Sequence, residues 1–531
     1  MAKRVRRRST KRNQRRLSKR LGKRRLSKRR LSKRRLSKRR VRRGGKPGKE
    51  STKNVPGQFS PAILKDLHIP MDATSVGLSE KLQGKSQEEL DDVFQALQTL
   101  PNLKALYLSK NQLTTLPERL FSEGNLRTLK YLDLRNNALT ALPEGLFSEG
   151  NLPNLQNLWL HNNQLTALPE SLGNLPNLQT LSLGENQLTE LPETLFSEGN
   201  LPNLQTLNLR YNQLTALPEK LFSEGNLPNL QKLDLGVNEL TSLPEELFSE
   251  GNLPNLKALS LEYNALTTLP SSLGKLSNLQ TLGLSSNQLT ALPEELFSEG
   301  KLSNLKHLIL GDNQLTALPE EIFSEGNLPN LKHLDLNNNA LTALPEELFS
   351  EGNLPNLEYL DLTHNKLTAL PEEIFIIGSE ENLPSLKHLD LSNNQLTALP
   401  EEIFSNRNLH NLQALYLNNN ELTTLPSSLG NLSNLQVLYL SKNQLTSLPS
   451  SLGNLSNIQA LFLSENQLTT LPSSLDNLSN LEYLDLKSNQ LTQPDQNPVV
   501  KALNEKGCQV DVDVVVDVGV AVYNGDEEDD Y

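Results

Sequence analysis

The sequence LKALYLSKNQL, residues 103–113, begins a pattern that occurs sixteen times up to residue 491. Each copy follows L-x-x-L-x-L-x-x-N-x-L and leads into a short return segment, and the last copy reads LEYLDLKSNQL from Leu481. The fixed asparagines are 23 or 26 residues apart, with a single interval of 29 between Asn365 and Asn394. Self-similarity with such a period predicts a solenoid in which each copy is one structural unit.

Each copy is predicted to begin with a short strand, because alternate residues of a strand point to opposite faces. In the first copy, Leu106 and Leu108 would then face the core, while Ala105, Tyr107 and Ser109 would face outward. The asparagine follows at the turn, where its amide can satisfy backbone groups that would otherwise be buried unpaired. We interpret the asparagines as structural. They are Asn111, Asn137, Asn163, Asn186, Asn212, Asn238, Asn264, Asn287, Asn313, Asn339, Asn365, Asn394, Asn420, Asn443, Asn466 and Asn489.

The return segments have two forms. Copies of 23 residues use L-P-S-S-L-G-N-L, as in residues 448–455, and longer copies use L-P-E-x-[LI]-F-S-E-G-N-L, with a phenylalanine such as Phe248. Proline fits the first turn of a short helix, where its missing N–H is not needed. We expect the leucine and phenylalanine of the return to fill the interior from the convex side. Because no repeat buries its leucines alone, stability must come from stacking of neighbours.

The sequence before the repeats predicts an N-terminal cap. Residues 73–102 are interpreted as a degenerate first repeat, with a short strand at Val76 and an amphipathic helix after Ser86. Ser86 begins S-Q-E-E, a capping-box pattern. Terminal repeats need a polar outer face for solubility, which this helix would provide. The solenoid itself is assigned to residues 103–491.

The sequence after the repeats predicts a C-terminal cap over residues 492–524. A helix is favoured from Asn497-Pro498 to Glu505. The valine-rich residues 510–522 favour a strand, and their aspartates would protect its edge against further pairing. Residues 525–531 form an acidic tail.

The chain begins with a basic low-complexity tail, residues 1–43, in which L-S-K-R-R repeats every five residues from Leu26. Residues 1–50 carry 27 Lys+Arg and one acid, a net charge of +26, so the overall charge of −9 leaves −35 on the rest of the chain. Self-repulsion and few apolar residues predict disorder for the tail. Residues 44–72 contain several glycines and prolines and are predicted to be a linker.

Several functions fit the basic tail. It could act as a nuclear address or bind nucleic acid, adhere to an anionic membrane surface, lie on the acidic part of its own chain, or stay solvated without a specific partner. The tail also contains R-R-L-S four times, which resembles the substrate motif of basophilic kinases. Each phosphate would add about −1.5 to −2 charges, which suggests an electrostatic switch. The four serines are Ser18, Ser27, Ser32 and Ser37.

The composition argues against several classes of protein. Cys508 is the only cysteine, so there is no disulfide framework. No apolar run is long enough to cross a membrane, and the N-terminus lacks the apolar segment of a signal peptide. We therefore expect an intracellular protein, cytoplasmic or nuclear and not secreted. With no phosphate-binding glycine loop, nucleophile elbow or zinc motif, we expect no enzymatic activity, no cofactor and no small-molecule substrate.

The outward side chains of the strands are the candidates for binding a partner. Between the two strand leucines, three successive repeats carry aspartate and the next three carry an aromatic residue. Two residues earlier, the three aspartate repeats and the repeat before them carry three histidines and a tyrosine. Adjacent like charges are unfavourable unless protonated histidines or a basic ligand offset them, and aromatic residues beside charge are typical of protein-binding hot spots. We interpret the face as a site for a basic peptide or protein. The candidate residues are Trp159, His307, His333, Asp335, Tyr359, Asp361, His388, Asp390, Tyr416, Tyr439 and Phe462.

Two other interpretations of these columns stay open. Tandem repeats drift after duplication, so the columns can be solvated remnants without a function. A site for a metal ion formed by histidine and aspartate is the other alternative. Ligands placed one per repeat are spaced along a sheet and do not converge on a point, which argues against it.

The repeats resemble the intracellular, 23-residue class of leucine-rich repeat proteins with L-P-x-x-L-x-x-L returns, and the 26-residue F-S-E-G return is this chain's departure from that class. The resemblance covers residues 103–491. It implies an α/β fold, a leucine-rich repeat solenoid or horseshoe with a concave parallel β-sheet of about sixteen full repeats plus caps. It also implies a non-enzymatic scaffold for protein partners. The alternative is a protein associated with nucleic acid, or with another anionic surface, through residues 1–43.

Overall fold

The computed structural model of the chain describes residues 60–513, with gaps at 118–119, 122–124, 198, 220, 223–224, 325, 351–352, 372–382 and 405–407. The basic tail with its four serines, the acidic tail and residues 514–524 of the predicted C-terminal cap lie outside the described residues. Within the described part, no helix is both long enough and apolar enough to cross a membrane.

Eighteen strands of three residues each form one parallel sheet in the described part of the chain, and each strand pairs with the next one along the sequence. This order is what stacked repeats produce, and it confirms the predicted solenoid. The strands are β1 Ser75–Gly77, β2 Ala105–Tyr107, β3 Tyr131–Asp133, β4 Asn157–Trp159, β5 Thr180–Ser182, β6 Thr206–Asn208, β7 Lys232–Asp234, β8 Ala258–Ser260, β9 Thr281–Gly283, β10 His307–Ile309, β11 His333–Asp335, β12 Tyr359–Asp361, β13 His388–Asp390, β14 Ala414–Tyr416, β15 Val437–Tyr439, β16 Ala460–Phe462, β17 Tyr483–Asp485 and β18 Gln509–Asp511.

The strands pair without any shift in register. Leu308 of β10 stands beside Leu334 of β11, and the same holds for the central residue of every neighbouring pair. The central residue of each repeat strand is buried, so its two neighbours in the strand point to the opposite face. Residues at the same place in successive repeats therefore form straight columns about 4.8 Å apart from strand to strand.

Short 3₁₀-helices form most of the return segments. In most of them the conserved proline is the residue immediately before the helix, as Pro143 is for Glu144–Phe147. The 3₁₀-helices of the described residues are Glu144–Phe147, Glu170–Asn174, Glu245–Phe248, Ser271–Lys275, Glu294–Leu296, Ser298–Gly300, Glu320–Phe323, Glu346–Phe349, Glu401–Phe404, Ser427–Asn431, Ser450–Asn454, Ser473–Asn477 and Pro494–Gln496. Their leucines, together with phenylalanines such as Phe147 and Phe248, are fully buried and close the core opposite the sheet.

The sixteen asparagines form one hydrogen-bonded ladder. Each donates from Nδ2 to a leucine carbonyl of its own repeat and to one of the preceding repeat, and its Oδ1 accepts a leucine N–H of the preceding repeat. For Asn313 the acceptors are the carbonyls of Leu310 and Leu284, at 2.9 and 3.0 Å. The ladder satisfies backbone groups where the chain leaves the sheet, so that neighbouring repeats are joined at that corner.

The N-terminal end of the core is closed by two helices, α1 (Ser60–Asp66) and α2 (Gln87–Leu97). Ser86 and Glu89 form a complete capping box at the start of α2. Helix α1 corrects the predicted linker of residues 44–72, since residues 60–66 belong to the folded unit. Leu64 is 1% exposed and joins the core cluster, and the burial of this apolar residue outweighs the linker-like composition of the segment that precedes the helix.

The C-terminal end is closed by helix α3 (Pro498–Glu505) and by strand β18. Asn497 accepts the N–H of Val499 and caps the helix, and Gly507 follows with a φ of +92°. Burial of Cys508 raises the pKa of its thiol to about 11, so the thiol stays protonated and unreactive at neutral pH. Strand β18 begins one residue before the predicted strand of residues 510–522, and residues 514–522 of that strand lie outside the described part.

Candidate functional site

Three columns of side chains cover the exposed face of the sheet. We call the first residue of each strand the first column, the third residue the second column, and the residue two positions after that the third column. For β13 these are His388, Asp390 and Ser392. Because the strands pair in register, a residue of one column has the same column's residues of the preceding and following repeats as its nearest neighbours on this face.

The second column contains an acidic stretch, defined here as Asp335, Asp361 and Asp390 on β11, β12 and β13. Asp335 is the register partner of Asp361, which is in turn the partner of Asp390. Each side chain uses Oδ1 to accept the backbone N–H two residues later, at 3.0, 2.9 and 2.9 Å respectively. One oxygen of each carboxylate therefore shapes the end of its own strand, a local role that the sequence pattern did not reveal.

The carboxylates of the acidic stretch are partly withdrawn from water. Burial raises the pKa of Asp335 and of Asp390, and the negative charge of Asp361 adds to both shifts. Hydrogen bonds from neutral groups of Asn337 and Ser392 act in the opposite direction without reversing either shift. The folded protein therefore holds negative charge at a place where the charge is energetically unfavourable.

The first column beside the acidic stretch is a row of rings: His307, His333, Tyr359 and His388. The rings of His333 and Tyr359 stack with 4.4 Å between centroids and 6° between planes, and each makes a tilted contact at 6.0 Å with the next histidine along the row. The Tyr359 hydroxyl lies 3.5 Å from Oδ2 of Asp361. The charge of Asp361 and burial raise the pKa of Tyr359 to about 12, with burial the larger cause.

His333 is a weak source of the positive charge that protonated histidines would bring to the acidic stretch. Burial between the neighbouring rings lowers its pKa, and His307 lowers it further, although Asp335 and Asp361 raise it. The imidazole of His333 is therefore mainly neutral at pH 7. The lowered pKa follows from stacking, because a ring packed between two other rings loses the water that would stabilise its charged form.

Two other aspartates of the second column have an arginine of the chain as their partner. Asp133 pairs with Arg135, with 3.1 Å between Oδ2 and Nε. Asp234 pairs with Arg210 at 3.8 Å, and the same guanidinium lies 3.5 Å from Glu262. By contrast, no lysine or arginine of the described residues forms an ion pair with the acidic stretch, and the third-column residues beside it are asparagine, threonine and serine.

Gly236 explains how Arg210 reaches across two repeats to Glu262. A Cβ at this glycine would lie 2.5 Å from Nη1 of Arg210 and 3.2 Å from Oγ of Ser260. The guanidinium also lies 5.2 Å from the ring centroid of Tyr211. This part of the face thus holds a guanidinium between carboxylates and beside an aromatic ring, an arrangement that the sequence analysis missed because its residues lie in three different repeats.

An aromatic ladder continues the second column directly after the acidic stretch, and we define it as Tyr416, Tyr439 and Phe462 on β14, β15 and β16. The ring centroids of Tyr416 and Tyr439 are 5.0 Å apart, and those of Tyr439 and Phe462 are 4.0 Å apart with 3° between planes. Tyr483, in the first column of β17, contacts Phe462 at 5.2 Å and 48°. The repeat pattern does not single out Tyr483, whose contact with Phe462 depends on packing between columns.

Small residues occupy the first column beside the aromatic ladder. Ala414, Val437 and Ala460 stand there in place of the rings that fill the same column beside the acidic stretch. Burial raises the pKa of Tyr416, and the charge of Asp390 contributes to the same shift. Asp390 and Tyr416 are register partners, so the acidic stretch and the aromatic ladder meet at this pair.

Trp159 lies apart from the other candidate residues. It stacks on Tyr131 of the preceding strand, with 6.4 Å between centroids and 18° between planes. Strand β4, which carries Trp159, is six strands before β10 in the sheet. The structure therefore brings together ten of the eleven sequence-predicted binding residues on β10–β16 and leaves Trp159 outside that surface.

The described residues do not suggest a metal site. No group of three or more histidine, cysteine, aspartate or glutamate side chains in this part of the chain is arranged to hold a metal ion. The reason lies in the register, which places one potential ligand per strand along a line.

Family models match the repeats along most of their length. The model described as "Leucine rich repeat" matches residues 127–188, 228–289, 384–445 and 433–491. The model described as "Leucine Rich repeats (2 copies)" matches residues 101–148, 202–249, 303–350, 329–375 and 355–407. A comparison with functionally curated proteins gives no significant match.

Several solved structures are also similar to this chain. A leucine-rich repeat protein of Leptospira interrogans is 40% identical, with a TM-score of 0.66, and the match covers 79% of this chain and 98% of that one. YopM of Yersinia enterocolitica is 27% identical over 87% of this chain and 97% of that one, with a TM-score of 0.47. A chain of the glycosylated Drosophila Toll–Spätzle complex is 23% identical, with a TM-score of 0.54, over 84% and 76% of the two chains. From the repeat pattern, the family models and the Leptospira structure together, the chain belongs to the leucine-rich repeat family.

Proposed function

We propose that the protein is a non-enzymatic scaffold that binds a basic protein partner on the sheet face formed by β10–β16. The observation that carries this proposal is the contrast within the second column. Asp133 and Asp234 are paired with arginines of the chain, whereas the hydrogen bonds of Asp335, Asp361 and Asp390 in the described residues come from neutral groups.

The energetics favour a partner with positive charge. Three carboxylates in neighbouring repeats repel one another, and burial makes the ionised forms of Asp335 and Asp390 less stable still. A lysine or arginine brought to this stretch removes both penalties, because it pairs with a charge that is already partly desolvated. The stacked rings of the aromatic ladder then offer the rigid apolar surface typical of hot spots in protein interfaces.

A charge-removal experiment tests the proposal. The full-length chain, immobilised as bait, would be compared with the triple variant Asp335→Asn, Asp361→Asn, Asp390→Asn, in which each amide keeps the Oδ1 acceptor used by the backbone. The control variant is Glu294→Gln, Glu320→Gln, Glu346→Gln, which makes the same charge change at exposed residues of the return helices.

We expect basic proteins that the wild type and the control retain to be lost from the aspartate variant, with affinity lower by about tenfold or more. Far-UV circular dichroism would verify that all three proteins are folded. If the aspartate variant retained the same basic proteins as the control, the sheet face would not be the binding surface.

A second candidate function rests on the +26 charge of residues 1–50. In this alternative, the basic tail binds DNA, RNA or another anionic surface, and the solenoid serves as an adaptor. Binding of a labelled duplex should then fall steeply with salt, because bound phosphates release counterions. A chain without residues 1–43 should lose that salt-dependent binding, while the triple aspartate variant should keep it. Equal binding with and without the tail would contradict this alternative.

A further inference from the structure

We propose that the junction between Asp390 and Tyr416 receives an arginine side chain of the partner, with the guanidinium paired to the carboxylate and stacked on the open face of the Tyr416 ring. The inference rests on the proposed function and makes it more specific, since it names the chemical group that is recognised and the place where it is recognised. It follows from three features of the junction.

The first feature is the orientation of the aromatic ladder. Because Tyr416 stacks on Tyr439 with 17° between planes and Tyr439 stacks on Phe462 with 3°, the rings cover one another along the column. At the far end, the Tyr483 ring contacts Phe462. The face of Tyr416 toward β13 is the exception, since no aromatic ring of the described residues contacts it. The neighbour of that face in the column is Asp390, so a guanidinium paired with its carboxylate would make a cation–π contact with the ring.

The second feature is the pairing of the two strands. In the first column, the row of rings ends at His388, and the next position holds the small, buried side chain of Ala414. The strands that carry Asp390 and Tyr416 are paired in register, about 4.8 Å apart. A flat group that lies over this pair can thus reach the carboxylate of one strand and the ring of the next.

The third feature is the arrangement that the chain already uses elsewhere on the same face. Arg210 lies between Asp234 and Glu262, at 3.8 and 3.5 Å, with the Tyr211 ring centroid 5.2 Å away. Asp234 occupies the same column as Asp390. At the junction the carboxylate and the ring are present, but no guanidinium of the described residues accompanies them. An arginine supplied by the partner would complete the same grouping.

Arginine fits these requirements better than lysine. Its guanidinium is planar, forms paired hydrogen bonds with a carboxylate and stacks on aromatic faces, whereas the ammonium of lysine is compact and strongly hydrated. The recognised group is therefore an arginine in an extended segment. Alternate residues of such a segment point to the same side, so arginines two positions apart can face the sheet together.

The test uses three labelled peptides of four dipeptide repeats each: Arg-Gly, Lys-Gly and citrulline-Gly. Citrulline keeps the planar shape of arginine and lacks its charge. Fluorescence anisotropy would give the affinity of each peptide for the full-length wild-type protein at low ionic strength. We expect the arginine peptide to bind about three- to tenfold more tightly than the lysine peptide, and the citrulline peptide to bind about a hundredfold more weakly than the arginine peptide.

Two matched pairs of variants locate the site. Asp390→Asn should weaken binding of the arginine peptide by about tenfold, whereas Asp335→Asn, which removes the same charge two strands away, should weaken it by about threefold or less. Tyr416→Leu removes the open ring face and should weaken binding by about three- to tenfold. Tyr263→Leu removes an exposed tyrosine ring on a distant repeat, outside the acidic stretch and the aromatic ladder, and should change binding by less than about twofold.

Equal affinity for the arginine and lysine peptides, together with equal effects of Asp390→Asn and Asp335→Asn, would overturn the junction as a specific site. The proposed function would survive that result, since it requires only that the acidic stretch attract positive charge. If neither peptide bound and the triple aspartate variant retained all partners, both would fail. The two failures are therefore distinguishable.

Discussion

The rings of Tyr439 and Phe462 lie almost parallel on neighbouring strands, with 4.0 Å between their centroids and 3° between their planes. Tyr416 packs against Tyr439 from the other side, with 5.0 Å between centroids. Stacked aromatic pairs contribute about 0.5–1.5 kcal/mol beyond the burial of their surface. The aromatic ladder should therefore stabilise the sheet in addition to presenting a surface for a partner.

We predict that Tyr439 and Phe462 are coupled by about 0.5–1.5 kcal/mol in the free energy of unfolding. The coupling would be measured in a double-mutant cycle from urea unfolding of Tyr439→Ala, Phe462→Ala and the double variant. Tyr263, which is 54% exposed on a distant repeat, serves as the control partner for Phe462, and that pair should be additive within about 0.5 kcal/mol. A Tyr439–Phe462 coupling no larger than the control would show that stacking adds nothing.

The repeat pattern predicted most of the fold because each level of structure follows from the same few residues. The two strand leucines determine which residues face the core, and the fixed period determines that strands pair in register, as Leu308 and Leu334 do. The side chains that meet on the sheet face then follow from their positions in the repeat. This is why the sequence alone predicts that Asp335 and Asp361 lie side by side, as they do.

The remaining features depend on contacts that no single repeat encodes. The lowered pKa of His333 results from rings of two other repeats, and the Arg210–Glu262 contact spans two repeats and requires Gly236. The residue before each fixed asparagine has a positive φ, even where it is Val237. Glycine is the residue that usually indicates a positive φ. Because no glycine stands at these positions, the sequence did not predict this turn.

The asparagine ladder should carry a large share of the stability of each repeat. We predict that Asn313→Ala lowers the free energy of unfolding by about 3 kcal/mol, because it leaves two carbonyls and the N–H of Leu289 without their buried partner. Asn304, whose Nδ2 makes an exposed hydrogen bond to the Ser277 carbonyl, provides the control, and Asn304→Ala should cost about 1 kcal/mol or less. Equal losses in urea unfolding would mean that the ladder is no more important than a surface hydrogen bond.

The shorter return segments should tolerate no side chain at their glycine. A Cβ at Gly453 would lie 2.2 Å from the Ser474 carbonyl oxygen of the next repeat, whereas a Cβ at Gly145 would have Oγ of Ser148 as its nearest neighbour, at 3.8 Å. We predict that Gly453→Ala lowers the free energy of unfolding by about 2–3 kcal/mol, because backbone must move. Gly145→Ala should leave it unchanged or raise it by about 0.5 kcal/mol. Thermal unfolding of the two variants measures the difference, and a stable Gly453→Ala protein would contradict the close approach.

The acidic stretch should reduce the stability of the protein at neutral pH. The pKa values of Asp335 and Asp390 in the folded protein lie above the usual value of 3.8, mainly because of burial. The folded state therefore binds protons more tightly than the unfolded state. As the pH falls from the pKa values of the folded state to about 3.8, protonation of these two groups increases the free energy of unfolding. Above that window both carboxylates are ionised, and the penalty is present in full.

We predict that the double variant Asp335→Asn, Asp390→Asn is more stable than the wild type at pH 7 and that the gain disappears below about pH 3.8, where the wild-type carboxylates are protonated in both states. Asp234→Asn is the matched control. It removes the partner of Arg210 and should give no gain at pH 7, with a loss of about 0–1 kcal/mol. Urea unfolding as a function of pH measures all three proteins, and a gain that persisted at pH 3 would rule out charge burial as its cause. A more stable double variant that no longer binds basic proteins would mean that Asp335 and Asp390 are retained for binding at the expense of stability, as is common where function and stability compete.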